Sequence, residues 1–128
     1  ESLDRLDRYI EAHGPFDGLL GYSMGASAAF HLLAHTPPST FRFAVLCCGY
    51  VSSNCPAAMG ALEAARPLRV PSLHVQGRND FLMTTTGLAD GMIPYFESAE
   101  VCRHPEGHTH PYDPRHVNQM AAFLLRFA

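Results

Sequence analysis

The stretch Phe16-Asp17-Gly18-Leu19-Leu20-Gly21-Tyr22-Ser23-Met24-Gly25-Ala26 decides how this chain is read. Its first half is a short apolar run of the kind that forms a buried strand. Its second half opens an alanine-rich stretch, Ala26 to His35, with strong helix propensity. Between them, Gly21-Tyr22-Ser23-Met24-Gly25 must turn the chain from strand to helix. So tight a turn strains the backbone of its central serine and demands small neighbours, which Gly21 and Gly25 supply. Ser23 Oγ would then stand clear of the sheet at a helix N-terminus, where the helix dipole favours a developing negative charge. The competing reading is a small-residue turn without chemistry.

Outward from that turn, strands and helices alternate. Residues 2–13 read as an amphipathic helix, with Leu3, Leu6 and Ile10 on one face and Gly14 as its stop. Residues 16–21 are the first strand and 24–35 the helix after the turn. Phe41 to Cys48 is a second strand, apolar enough at its end to be buried on both faces. A short helix is expected from Ala57 to Ala65, and a third strand over 71–76. A further helix is expected from Thr86 to Ile93, closed near Pro94, and a fourth strand from Ala99 to His104. The last helix starts with Asp113 as N-cap and Pro114 at its first position, with Val117, Met120, Ala121, Leu124 and Phe127 as its apolar face. This alternation predicts an α/β domain over residues 1–128, with a parallel sheet of about four strands and flanking helices.

Composition narrows the function classes. At 128 residues the chain is long enough for one domain with a core. A net charge of −3 without a basic run argues against nucleic acid and anionic membrane surfaces. No apolar stretch approaches the roughly 20 residues of a membrane span, and no secretory signal opens the chain. Cys47, Cys48, Cys55 and Cys102 form no C-x-x-C pair and read as free thiols, which points to a reducing, cytoplasmic setting. Cys48 reads best as a small buried residue, although its strand end could line a pocket. No cofactor and no metal is called for. A site built from His104, His108 and His110 is the metal alternative, weakened by the absence of an acidic or cysteine ligand nearby in register.

In an open parallel sheet, ligands bind outside the carboxyl ends of the strands. Ser23 follows the first strand, Asp80 lies beyond the third and His108 beyond the fourth. A serine hydroxyl is a poor nucleophile until a base takes its proton, and an acid behind the base fixes its tautomer. Ser23, His108 and Asp80 are the residue types for those three roles, and the chain order serine, acid, histidine is that of α/β-hydrolases. The backbone N–H of Met24 would serve a developing oxyanion. Alternatives stay open. Asp80 in Gly77-Arg78-Asn79-Asp80 is also a natural turn residue, Asp90 is a rival acid, and His110 is the rival base.

The same residues resemble a known family. Gly14-Pro15-Phe16-Asp17-Gly18-Leu19-Leu20-Gly21-Tyr22-Ser23-Met24-Gly25-Ala26 is similar to the turn of the FSH-type serine hydrolases, whose members usually show F-D-G, a few apolar residues and G-F-S-Q-G-A. Phe41 to Leu46 before Gly49, Pro71 to Gly77 with Asp80, and His104-Pro105-Glu106-Gly107-His108 before Pro111 extend the likeness over about residues 14–125. Met24 stands where the family commonly has glutamine. The resemblance implies a partial α/β-hydrolase fold and esterase or thioesterase activity on small acyl substrates. It also implies strands before the turn and a second oxyanion donor in a loop after the first of them. The chain is therefore expected to be truncated at its N-terminus, with an open sheet edge prone to self-association. On that footing the alternative to an enzyme is a catalytically incomplete module that binds or depends on a partner.

Overall fold

The computed structural model describes residues 2–84 and 90–128. In chain order the elements are α1 (Ser2–His13), β1 (Gly18–Tyr22), α2 (Met24–His35), β2 (Phe43–Cys47), α3 (Pro56–Ala65), β3 (Ser72–Gly77), a single helical turn α4 (Phe81–Thr84), a 3-10 turn (Ile93–Tyr95), β4 (Ala99–His104) and α5 (Pro114–Leu125). The four strands are parallel and lie side by side in sequence order. Every strand therefore leaves the sheet at the same edge, so the residues after β1, β2, β3 and β4 converge. That one consequence of parallel pairing builds the site.

Two apolar layers hold the sheet. Side chains alternate along β2, so Ala44 and Leu46 face α2 and α3, while Val45 and Cys47 face α5. The first layer adds Phe30, Leu32 and Leu33 of α2, Leu62 of α3, Met92 and Phe96. The second is Leu73, Val75 and Cys102 around Phe123. All six residues of β3 are buried, the expected state of a parallel strand covered on both faces. β1 is an edge strand of these four, paired with β2 alone, and Leu20 on it is 65% exposed.

Several expectations change. The first two strands start two residues later than the apolar runs, because Asp17 and Arg42 lie just outside the ladder and pair with each other. Residues 86–89 of the helix expected over 86–93 lie outside the described residues. Its described end is a turn leading into the 3-10 turn, so Pro94 sits inside a helical turn and does not close a helix. In α5 the buried residue is Phe123, with Met120 and Phe127 beside it. Val117 and Leu124 are exposed, because the sheet fixes the roll of the helix and a periodic apolar pattern leaves two neighbouring faces open. Cys47, Cys48 and Cys102 are buried free thiols as expected, and Cys55 is exposed.

His74 on β3 gives the fold a pH dependence. It is buried, its Nε2 lies 3.0 Å from Ser72 Oγ, and its ring meets Phe96 edge-on. Burial disfavours the imidazolium and pushes its pKa down from 6.5 to about 4, against a weaker upward pull from Asp90. The unfolded chain therefore takes up this proton first as pH falls. The contribution of neutral His74 is whole above pH 6.5 and is lost as pH falls to about 4. It amounts to about 3 kcal/mol over that window. Urea titrations across it should show a shallower fall for His74→Gln than for the wild type. Parallel profiles would contradict this origin.

Candidate active site

Gly21 precedes the turn because nothing larger fits there. A Cβ on it would lie 2.6 Å from both Ala26 Cα and Gly25 O. The chain passes over it into Ser23, whose φ of 53° and ψ of −119° place a non-glycine residue in strained backbone. Three bonds hold the strain. Ser23 N–H donates to Cys47 O at the end of β2, and Ser23 O accepts from Ala26 and Ser27 N–H as α2 begins. The hydroxyl is thus fixed above the sheet with the first turn of α2 behind it.

Asp80 is set by the turn after β3. It is 1% exposed, and its Oδ1 accepts from the N–H groups of Leu82 and Met83, capping α4. Its Oδ2 lies 2.7 Å from Nδ1 of His108. The Nε2 of that imidazole lies 2.8 Å from Ser23 Oγ. The structure therefore joins the ends of β1, β3 and β4 in one hydrogen-bonded line, Asp80–His108–Ser23, across separations of 28 and 85 residues.

The rival residues are elsewhere. His110 is exposed and packs on Tyr112. Asp90 is on the surface with Arg103, and Asp113 caps α5 through His116 N–H. The three-histidine metal arrangement does not form. His104 is buried against Glu106, and among the described residues the one group of three donors that converges is Cys48, Asp80 and His108.

Tyr22 was not singled out by the sequence, and Cys48 only as a small buried residue whose strand end could line a pocket. Tyr22 Oη donates to the backbone carbonyl of His108 at 2.6 Å, and its ring lies 5.5 Å from the imidazole. An aromatic residue beside the serine is the available signal, but its target lies 86 positions away. Cys48 has a φ of 50° and sends its Sγ to Thr109 O at 3.4 Å. The loop bearing His108 is further tied to the turn bearing Asp80. Arg78 N–H donates to His104 O, Asn79 N–H to Glu106 O and Asn79 Nδ2 to Pro105 O. Glu106 in turn bridges His104 Nδ1 and the backbone N–H of Tyr112.

Gly77 is where these two loops come closest, since a Cβ there would lie 2.0 Å from Gly107 O. That contact is backbone on both sides and cannot rotate away. Gly77→Ala should therefore lower stability by about 3 kcal/mol, a strain cost at the upper end for overpacking. It should also part His108 from Ser23. Chemical denaturation with a histidine NMR spectrum checks both effects, and an unperturbed His108 resonance would refute the second.

A cavity of 600 Å³ starts at Met24, whose side chain is 74% exposed, and follows one face of α2. Leu3, Ala28, Ala57, Ala58 and Ala61 give it apolar walls, and Asp4, Ser27, His31, His35, Ser52 and Asn54 line it as well. Another, of 360 Å³, lies at the far end of α2 around Leu33 and Pro37, away from Ser23. No helix among the described residues is long and apolar enough to cross a membrane.

Comparison with known proteins agrees with this fold. Solved structures share the fold at low identity. Acyl-protein thioesterase 2 of Zea mays superposes over 98% of the chain with a TM-score of 0.64 at 16% identity. An esterase of Pyrococcus furiosus does so over 98% with a TM-score of 0.65 at 13% identity. These neighbours are α/β hydrolases, and the chain covers 63% and 60% of them. Among curated proteins, the esterase OVCA2 of Danio rerio is 34% identical over 99% of the chain. The esterase CG5412 of Drosophila melanogaster is 33% identical over 99%. The chain spans 57% and 44% of the length of these two relatives. The model of the serine hydrolase (FSH1) family matches residues 1–120. With a parallel four-stranded sheet, the strained serine turn and this match over nearly its whole length, the chain belongs to the FSH1 serine hydrolase family.

Proposed function

We propose that the chain cleaves carboxylic esters or thioesters through an acyl-enzyme on Ser23. The observation that carries this reading is the line from Asp80 Oδ2 through His108 to Ser23 Oγ, at 2.7 and 2.8 Å. In it, His108 Nε2 takes the hydroxyl proton as Ser23 Oγ attacks the carbonyl carbon. Asp80 keeps the Nδ1 proton in place and stabilises the imidazolium. Oxyanion charge falls toward the N-terminus of α2, where the N–H of Met24 donates. The imidazolium then protonates the departing alkoxide or thiolate. Water, deprotonated by the same nitrogen, attacks the ester on Ser23 and returns the free hydroxyl. The cavity beginning at Met24 suits an apolar acyl chain laid along α2. The exposed Met24 side chain would form its entrance.

A fluorophosphonate probe tests the assignment directly. It should form one adduct, located on Ser23 by peptide mass spectrometry, at a rate that falls when His108 is replaced by alanine. A protein that stays unlabelled, or an adduct on another residue, would remove the basis for this reading.

A further inference from the structure

We infer that Cys48, Asp80 and His108 also form a binding site for a thiophilic divalent cation, zinc foremost, and that occupancy of this site switches off the Ser23–His108 pair. The Sγ of Cys48, a carboxylate oxygen of Asp80 and a ring nitrogen of His108 lie within 4.8 Å of one another. A tetrahedral zinc ion with ordinary bond lengths holds such donors about 3.3–3.6 Å apart. Reaching that spacing opens the 2.7 Å pair of Asp80 Oδ2 and His108 Nδ1 and draws Cys48 Sγ inward, by side-chain movements without a change of fold. The three residues follow β2, β3 and β4, so the parallel sheet already fixes their backbones side by side.

The donor set fits the ion chemically. One thiolate, one carboxylate and one neutral imidazole against a doubly charged cation leave a buried site with no net charge, which avoids the cost of an unpaired charge in the interior. Sulfur and nitrogen donors favour zinc, cobalt or cadmium over magnesium or calcium. Cys48 and Asp80 are each 1% exposed, whereas the His108 side chain is 24% exposed. The route in is past the imidazole, and a water molecule can fill the fourth position from the same side.

Cys48 is placed for more than filling space. Its φ of 50° is a conformation that a non-glycine residue keeps only when its surroundings enforce it. Without metal, burial pushes the thiol up to about 11, with the charge of Asp80 adding to the shift, so the sulfur carries its proton beside Thr109 O. A bound cation displaces that proton to solvent, as metals do at thiols. The ion also takes the Nδ1 lone pair of His108, so the ring proton moves to Nε2. An Nε2–H donates and cannot accept, and Ser23 loses its base.

Cobalt(II) titration of the full chain tests the site without reference to hydrolysis. One cobalt per chain should give a thiolate-to-metal charge-transfer band and tetrahedral visible bands, both removed by zinc. Cys48→Ser and Cys48→Ala, checked for folding by circular dichroism, should lose the band and bind zinc about 100-fold more weakly. Cys55→Ser, which changes the exposed thiol, should keep it. No band, or a band lost with Cys55→Ser and kept with Cys48→Ser, overturns the site. The inhibitory limb rests on the proposed catalytic role of Ser23. Zinc should protect Ser23 from the fluorophosphonate in the wild type, and this protection should vanish in the Cys48 variants. A cobalt band with no labelling under any condition would leave the metal site standing and the hydrolase reading refuted. Labelling without a band would do the reverse.

Discussion

Ser23→Ala should lower turnover of a chromogenic short-chain ester by about 10⁶-fold while leaving the fold intact. The size follows from what the hydroxyl does in the proposed reaction. Without Oγ there is no nucleophile, and the residual rate over water comes from oxyanion stabilisation and binding alone. The fold should survive because the backbone of Ser23, and not its side chain, bonds to Cys47 and to the start of α2. Alanine meets the same strain at φ 53° as serine does. Steady-state kinetics beside circular dichroism make the comparison. A folded variant within tenfold of the wild type would place the nucleophile elsewhere.

Asp80→Asn should lower kcat by about 10⁴-fold, with a smaller effect on KM. The carboxylate accepts from His108 Nδ1, which holds the ring proton there and leaves Nε2 free to accept from Ser23. An asparagine amide turned toward Nδ1 donates instead. The ring proton then moves to Nε2, and the imidazole faces the serine as a donor. The asparagine oxygen can still accept from Leu82 and Met83, so the cap of α4 should persist. The size of the kcat effect separates a group acting through the imidazole from a turn residue, the other natural role for an aspartate after Gly77-Arg78-Asn79. A loss of less than tenfold would return Asp80 to the turn.

Much of the fold could be read without coordinates. Phe16 to Ala26 predicts strand, turn and helix because each step is local. An apolar run, a pair of glycines and a helix-forming stretch act within a few residues of one another. Asp113 as N-cap with Pro114 behind it is local in the same way, and the structure shows its carboxylate accepting from His116 N–H. The parallel sheet was legible from the alternation of strands and helices, but readings of side-chain packing and strand limits, which need a distant partner, failed or stayed open. The roll of α5 depends on the pocket that the sheet offers Phe123 between Phe43 and Phe127, and the helix pattern alone fits two faces. The strand limits of β1 and β2 depend on their mutual register, since the ladder begins where Gly18 meets Phe43, and Asp17 and Arg42 before them join only to each other.

The candidate site divides along the same line. The sequence by itself pointed to a strained serine at a strand-to-helix turn, because an apolar run, a glycine and a helix-forming stretch meet within a few residues; of its two glycines only Gly21 is sterically required, since a Cβ on Gly25 would meet nothing within 4 Å. It also determined that an acid and a histidine follow later strands in that order. Only the tertiary structure decided that the histidine meeting Ser23 is His108 and not His110, that Tyr22 holds the backbone of its loop, and that Cys48 lies beside Asp80. The physical reason is the parallel register. It sets β2, β3 and β4 side by side so that their ends share one edge. Which side chains then touch depends on loop contacts such as Asn79 with Pro105 and Gly77 with Gly107, which span about 30 residues and leave no local trace.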